Sequence, residues 1–339
     1  MDTLYALLTV EGLEGRPEKI NLLIVLRNDL DVTENLHIFL TGATGYIGGS
    51  VAARLVSAGH RVQGLVRSSR RAEEAIEKGI EPVIGTLDDD ETLRSAVREA
   101  SVVINTADSD HLGSVRSMMS ALKGSNKLFI HTSGSSIVGT QAGGERVESI
   151  FDEKTPFTPS PGRVDRVRIN ELISASTVKG IHTVIICPSL IYGLGRGVNL
   201  HSMHIPWLIN VAEKYGVAKH IGSGENLWSN VHIDDLVELY LRVIEKAPPG
   251  SFYFVESGEN SMRQMCEAIN RAMGKRETPQ TMTIEEASKE WGDGPAKNTM
   301  GSNSRVRAVR ARKELFWAPT APTLIEEIEH GCYKDQLGR

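Results

Sequence analysis

The eight residues Thr41-Gly42-Ala43-Thr44-Gly45-Tyr46-Ile47-Gly48 constrain this chain more than any other stretch. They follow an apolar run, Leu36 to Leu40, and open a helix-like segment that ends at Ala58-Gly59. A strand that turns into a helix over such glycines lets backbone N–H groups approach a dinucleotide pyrophosphate, and the helix N-terminus adds partial positive charge. The spacing is GxxGxxG, so the flanking strand and helix carry the assignment as much as the glycines do. Gly42, Thr44, Gly45, Tyr46, Ile47 and Gly48 are the expected cofactor contacts. Tyr46 reads equally as packing over the turn.

Strand-like runs recur after the turn, at Val62–Val66, Pro82–Ile84, Val102–Asn105, Leu128–His131 and Thr183–Cys187, with helical patterns between most of them. Such alternation predicts a doubly wound, Rossmann-like parallel sheet of the α/β class, with ligands bound beyond the carboxyl ends of the strands. From about Ser189 the pattern changes to helices (Ile205–Lys214, Asp235–Lys246, Met262–Met273, Ile284–Trp291) and loops. The expected organisation is a cofactor-binding domain over residues 36–188 and a smaller, mainly substrate-binding lobe over 189–339. Residues 1–35, with strand-like Ile20 to Leu26, form an extension of no assigned role, either an added strand or a loose arm.

Composition narrows the partners. The 339-residue chain has a net charge of -5 and no long basic tract, which argues against nucleic acid and for a small-molecule substrate. Cys187, Cys266 and Cys332 are too scattered for a disulfide framework or a zinc knuckle, as in a reducing cytosol. His201 and His204 stand three apart without a third ligand, so no metal is expected. No apolar run approaches the roughly 20 residues that span a bilayer. Asp2, Glu11 and Glu14 sit where a signal peptide needs basic and then apolar residues. The expectation is a soluble, cytoplasmic protein off the membrane, with a homodimer left open.

The glycine turn, Leu65-Val66-Arg67-Ser68, Gly85-Thr86-Leu87-Asp88, Pro188-Ser189-Leu190-Ile191-Tyr192-Gly193 and Val231-His232-Ile233-Asp234-Asp235-Leu236 together resemble the extended short-chain dehydrogenases/reductases, which include epimerase/dehydratase-like enzymes. The resemblance runs from Leu36 to about Asp335 and implies NAD(P) in the first half and a substrate pocket shaped by the C-terminal part. It also puts Leu87 and Asp88 near the adenine, Asn105, Thr106 and Ala107 against a ribose, and Pro188 in the cofactor set. Asp88 reads alternatively as a helix N-cap. Where NAD enzymes of this design carry an acidic residue, this chain has Arg67, followed by Ser68 and Ser69 as further donors. An arginine there favours NADP(H), with NAD(H) as the alternative. Arg70 and Arg71 lie close behind as further basic groups and read alternatively as a solvated helix start.

The resemblance departs at the chemistry. The family's Tyr-x-x-x-Lys pair falls at Gly162-Arg163 and Arg166-Val167, and no tyrosine lies between Tyr46 and Tyr192. The usual serine position falls at Gly134, flanked by Ser133 and Ser135. This matches an atypical branch in which basic residues replace the pair. Arg163, Arg166 and Arg168 surround Asp165, and an arginine can hold a ribose or an oxyanion but is a poor proton donor. The catalytic candidates are therefore Arg166, which also belongs to the cofactor set, Arg163, Ser133, Ser135 and Tyr192, with His131 or a water as further proton sources. A solvent-facing helix start with an Asp165–Arg168 pair is the competing reading. His232, Asp234 and Asp235 read as a helix start capped by the aspartates, and Trp207 and Trp228 as packing or pocket lining. The expected function is an NADP(H)-dependent oxidoreductase acting on a carbonyl or hydroxyl group. A sugar-nucleotide epimerase or dehydratase and a non-catalytic NADP(H)-sensing regulator are the alternatives.

Overall fold

The computed structural model describes residues 35–160 and 162–337, so Ile20 to Leu26 lie outside the described residues. Strand β1 (His37–Thr41) carries Ile38, Phe39 and Leu40, all fully buried. A strand apolar on both faces must be covered on both, and alternate side chains go to opposite layers. Ile38 and Leu40 pack with Val51, Ala52 and Leu55 of α1 (Tyr46–Ser57), whereas Phe39 packs with the layer on the other side. Burial of each such side chain contributes about 2 kcal/mol.

The alternation continues through β2 (Arg61–Val66), α2 (Ser69–Ile76), β3 (Glu81–Ile84), α3 (Asp90–Glu99), β4 (Val102–Asn105), α4 (Leu112–Leu122) and β5 (Leu128–Thr132). A short β6 (Thr140–Gln141) precedes α5 (Val164–Ala175) and β7 (His182–Pro188). Beyond them come β8 (Leu190–Tyr192), α6 (His204–Tyr215), β9 (Lys219–Ile221), β10 (Leu227–His232), α7 (Ile233–Lys246) and β11 (Ser251–Val255). The central sheet has seven parallel strands in the order β11-β7-β5-β4-β1-β2-β3. Neighbouring β2 and β4 flank β1, so the order reverses there and a crevice opens at the carboxyl ends of β1 and β4.

The strands expected after the glycine turn form. The sequence pattern did not single out β11, whose Ser-Phe-Tyr-Phe-Val run pairs with β7 (Tyr253 opposite Ile186) and closes the sheet edge. Helix α7 likewise returns to the sheet and packs on α1. It starts at Ile233 because His232, not an aspartate, caps it, with His232 Nδ1 accepting from the Asp234 N–H at 3.1 Å. Asp234 is thereby left to pair with Arg196 (2.6 Å), and Asp235 accepts from the Thr320 and Ala321 N–H groups.

A second core lies among the later elements, in which α6 and the helices Met262–Ala272 and Leu324–Glu329 bury Leu208, Met265, Ile269 and Ile328 around Trp228. Tyr333 ties this core to the loop after β8: its hydroxyl accepts from the Gly193 N–H (2.9 Å) and bonds Ser202 Oγ (2.7 Å).

Candidate active site

A cleft of about 1050 Å³ lies over the crevice. Its floor is the turn from β1 into α1. Gly42 holds φ +77°, and a Cβ there would come within 2.8 Å of Thr106 Oγ1 and 2.9 Å of the Ala107 nitrogen. A Cβ on Gly48 would overlap the Gly42 carbonyl and Thr106 Oγ1. The two glycines thus let the turn close on the β4 loop, which is pinned by Thr106 Oγ1 donating to the Thr41 carbonyl at 2.7 Å. Gly45 is the N-cap of α1 and provides no side-chain hydrogen bond, so the first-turn N–H groups face the cleft uncapped. Thr44, Tyr46 and Ile47 line it as well, and the Tyr46 hydroxyl donates to the Gly193 carbonyl (2.8 Å), joining the turn to the loop after β8.

At the end of β2, Arg67 lines the cleft, and no ion-pair partner meets it among the described residues. Behind it Arg70 (3.2 Å) and Arg71 (2.7 Å) both pair with Glu74. Arg71 also reaches the cleft wall, beyond the solvated role of the alternative reading. Ser68 is off the lining: its side chain caps α2, accepting from the Arg71 N–H. Leu87 and Thr86 line the cleft. Asp88 does not, and it is not the cap either; Asp89 takes that role, accepting from the Thr92 N–H at 3.1 Å. Asp88 faces His111 at 3.2 Å instead. One residue of phase in the turn decides this, since only Asp89 stands three positions before Thr92.

The arginines at the start of α5 meet an acid from another loop. Arg166 forms a two-pronged pair with Asp110, Nε to Oδ1 at 2.8 Å and Nη2 to Oδ2 at 2.5 Å, and its side chain is 13% exposed. Those hydrogen bonds hold the Asp110 carboxyl below the usual carboxylate range. Arg163 lies 3.8 Å from the same carboxylate, and both arginines donate to Ser136 Oγ, at 3.0 and 3.5 Å. A Cβ on Gly134 would sit 3.2 Å from Arg166 Nη1, so the glycine at the family's serine position leaves room for the guanidinium. Arg168 does pair with Asp165 in solvent, as the competing reading held for it (3.1 Å). Asp110 and Ser136 were absent from the sequence candidates. Ser136 could have been found as the last serine of its loop, but nothing local connects Asp110 to α5.

None of Asp110, Ser136, Arg163 and Arg166 is on the cleft lining, which ends on this side at Thr106, Ala107 and Asp108, and the other candidates are engaged elsewhere as well. Ser133 is buried, accepts from Asn170 Nδ2 at 3.0 Å and bonds the Cys187 thiol, which burial pushes up to about 12. Ser135 is sealed against Ser304 Oγ at 2.8 Å. Tyr192 is buried outside the cleft lining, its hydroxyl donating to the Pro322 carbonyl at 2.8 Å, and burial raises its pKa. Pro188 is buried beneath the wall, where Ser189 and Ile191 are the lining residues. His131 accepts at Nδ1 from Asn105 Nδ2 (3.1 Å), whose amide oxygen accepts from Thr41 Oγ1 (2.6 Å). Its proton therefore sits on Nε2, which has no partner among the described residues. Burial, followed by the Arg166 charge, lowers its pKa to about 3, so it is neutral at pH 7 and no proton donor of ordinary strength.

The uncapped helix start, the glycine contours and the basic group at the end of β2 fit a nicotinamide dinucleotide. Among the described residues no cluster of three or more His, Cys, Asp or Glu could hold a metal, and no helix is long and apolar enough to cross a membrane.

Similarity to known proteins gives the family and the fold. Residues 38–255 match the family described as NAD dependent epimerase/dehydratase. The chain is 31% identical to the oxidase ucsJ of an Acremonium species, over 86% of this chain and 95% of that one. It is 25% identical to a 4-hydroxy-2-methyl-3-oxo-4-farnesyl-3,4-dihydroquinoline-1-oxide ketoreductase of Stigmatella aurantiaca, over 66% and 69% of the two chains. Its fold is that of the Bacillus anthracis dTDP-glucose 4,6-dehydratase solved with NAD, with a TM-score of 0.72 at 17% identity over 89% and 97% of the two chains. The chain therefore belongs to the NAD-dependent epimerase/dehydratase family, as an oxidoreductase of the extended short-chain dehydrogenase/reductase type in which the Tyr-x-x-x-Lys pair is absent.

Proposed function

We propose that this protein is an NADP(H)-dependent oxidoreductase that interconverts a carbonyl and a hydroxyl group of a small organic molecule. Arg67 carries the cofactor preference: it lines the cleft at the end of β2 while its neighbours Arg70 and Arg71 are engaged by Glu74. A guanidinium in that position suits a ribose 2′-phosphate, where an acidic residue would repel it. The relative named a ketoreductase supports the carbonyl assignment.

When bound, the nicotinamide supplies or accepts a hydride at the substrate carbon. The uncapped N–H groups after Gly45 would hold the pyrophosphate, Thr106 and Ala107 a ribose, and Leu87 the adenine. Arg166, oriented by Asp110, would take the place of the missing lysine as a fixed cation. Ser136 is our candidate for hydrogen-bonding the substrate oxygen. Its Oγ accepts from two guanidinium groups, and its own O–H meets no acceptor among the described residues.

Arg67→Asp tests the cofactor assignment. The Kd for NADPH should rise at least tenfold, about 1.4 kcal/mol, and that for NADH by less than threefold; equal losses would refute the preference. A second reading, a non-catalytic NADP(H) sensor, draws on the engaged hydroxyls of Ser133, Ser135 and Tyr192. Oxidation of NADPH by any uncharged ketone excludes it.

A further inference from the structure

Past Ile191 the cleft wall changes character. It is formed by the loop after β8 and the first turns of α6, where Val198, Met203, Pro206 and Trp207 alternate with the uncharged polar groups of Asn199, Ser202 and Asn210 and with His201 and His204. The cations on the whole lining are Arg67 and Arg71, both at the β2 end, and the anion is Asp108. Met203 is 57% exposed on this lining, and Leu194 and Leu200, exposed in the same loop, lie off it. An exposed methionine beside a half-buried tryptophan on one cleft wall marks a ligand surface more than a solvated loop. His204 stands edge-on to Trp207 (ring centroids 5.7 Å apart, 87°) and lies 6.2 Å from Trp228. Burial lowers its pKa to about 4, so at pH 7 it offers one N–H and one lone pair without charge.

We infer that this half of the cleft takes an uncharged, largely apolar, ring-bearing carbonyl compound, seated on Trp207, Val198 and Met203 with His204 as a polar contact, and that it rejects nucleoside-diphosphate sugars. A diphosphate carries two or more negative charges and needs cations or open N–H groups to replace its water. The lining of the substrate half offers no lysine or arginine. A planar apolar ring instead gains buried area and aromatic contact. The inference deepens the oxidoreductase reading and rests on it for the carbonyl.

The test uses the full chain saturated with NADP+, titrated calorimetrically with 2-acetonaphthone or with UDP-glucose. The ketone should bind, and UDP-glucose should neither bind nor displace it. Trp207→Ala should weaken the ketone at least tenfold and Trp207→Phe less than threefold, with the NADPH Kd within twofold of wild type as the control for folding. Met203→Lys, at an exposed position, should weaken the ketone at least threefold even if Trp207→Ala fails to fold. Competitive binding of UDP-glucose, or ketone binding indifferent to both the Trp207 and Met203 changes, would overturn the inference. Ketone binding that depends on Trp207 supports it even if no ketone oxidises NADPH; that outcome would overturn the oxidoreductase reading alone.

Discussion

The glycine turn after β1 and the arginine corner at the start of α5 both stand at the carboxyl end of the sheet, but they are built in opposite ways. The turn is made of backbone: missing side chains let Gly42 and Gly48 close on Thr106 and Ala107, and the uncapped N–H groups face the cleft. The corner is made of side chains from the start of α5 and from the segments after β4 and β5, with Arg163 and Arg166 converging on Asp110 and Ser136 beside Gly134. A backbone site tolerates almost no added atoms, whereas a side-chain site tolerates atoms and fails when a charge loses its partner.

The largest effect should come from adding bulk to the turn. Gly48→Val would drive its side chain into the Gly42 carbonyl and Thr106 Oγ1. It should cost about 3 kcal/mol and abolish NADPH binding in a fluorescence titration; retained binding would show that the turn is not closed by contact.

The layer beneath both regions gives the next effect, through pH. His131 has its pKa lowered from 6.5 to about 3, so between those values the unfolded chain binds the proton and the folded chain does not. Stability is therefore lost as pH falls below about 6.5, at about 1.4 kcal/mol per pH unit for this one group. His204, lowered to about 4, adds a slope of the same sign. His131→Gln should reduce the slope of urea-unfolding free energy between pH 6 and pH 4.5 by one proton's worth, and an unchanged slope would contradict the buried neutral histidine.

Removing charge from the corner should cost less than bulk in the turn. Asp110→Ala leaves Arg166, at 13% exposure, without its carboxylate. Because Asp110 is itself 43% exposed, the loss should be about 2 kcal/mol, below the roughly 3–5 kcal/mol of a fully buried pair. Turnover should fall much more than NADPH affinity; the reverse pattern would move the corner to the cofactor. At the bottom of the series, Arg168→Ala breaks only a solvent-exposed pair and should change stability by about 0.3 kcal/mol in the same urea assay.

The two regions also differ in how far the residues announced them. Gly42, Gly45 and Gly48 declare a turn through their spacing, because a positive φ and a close approach are local demands. Arg67 follows from its place at the end of β2. Strand β11 was readable in principle from Phe252, Tyr253, Phe254 and Val255, but its membership of the main sheet depended on which edge of β7 lay uncovered. Tyr192 sits in a motif and looked catalytic; the fold turns its hydroxyl to Pro322. Asp88 and Asp89 are adjacent, and cap phase alone separates them.

By itself the sequence determined the strand–turn–helix, the alternating α/β layers and the missing tyrosine, all properties of residues near one another in the chain. Only the tertiary structure decided that Arg166 would meet Asp110, that Gly134 would leave it room, and that His204, Trp207 and Met203 would share a wall with the glycine turn. Spacing along a chain encodes backbone geometry over a few residues. Side chains from distant loops meet only where the sheet order brings their strand ends together, and no local pattern records that encounter.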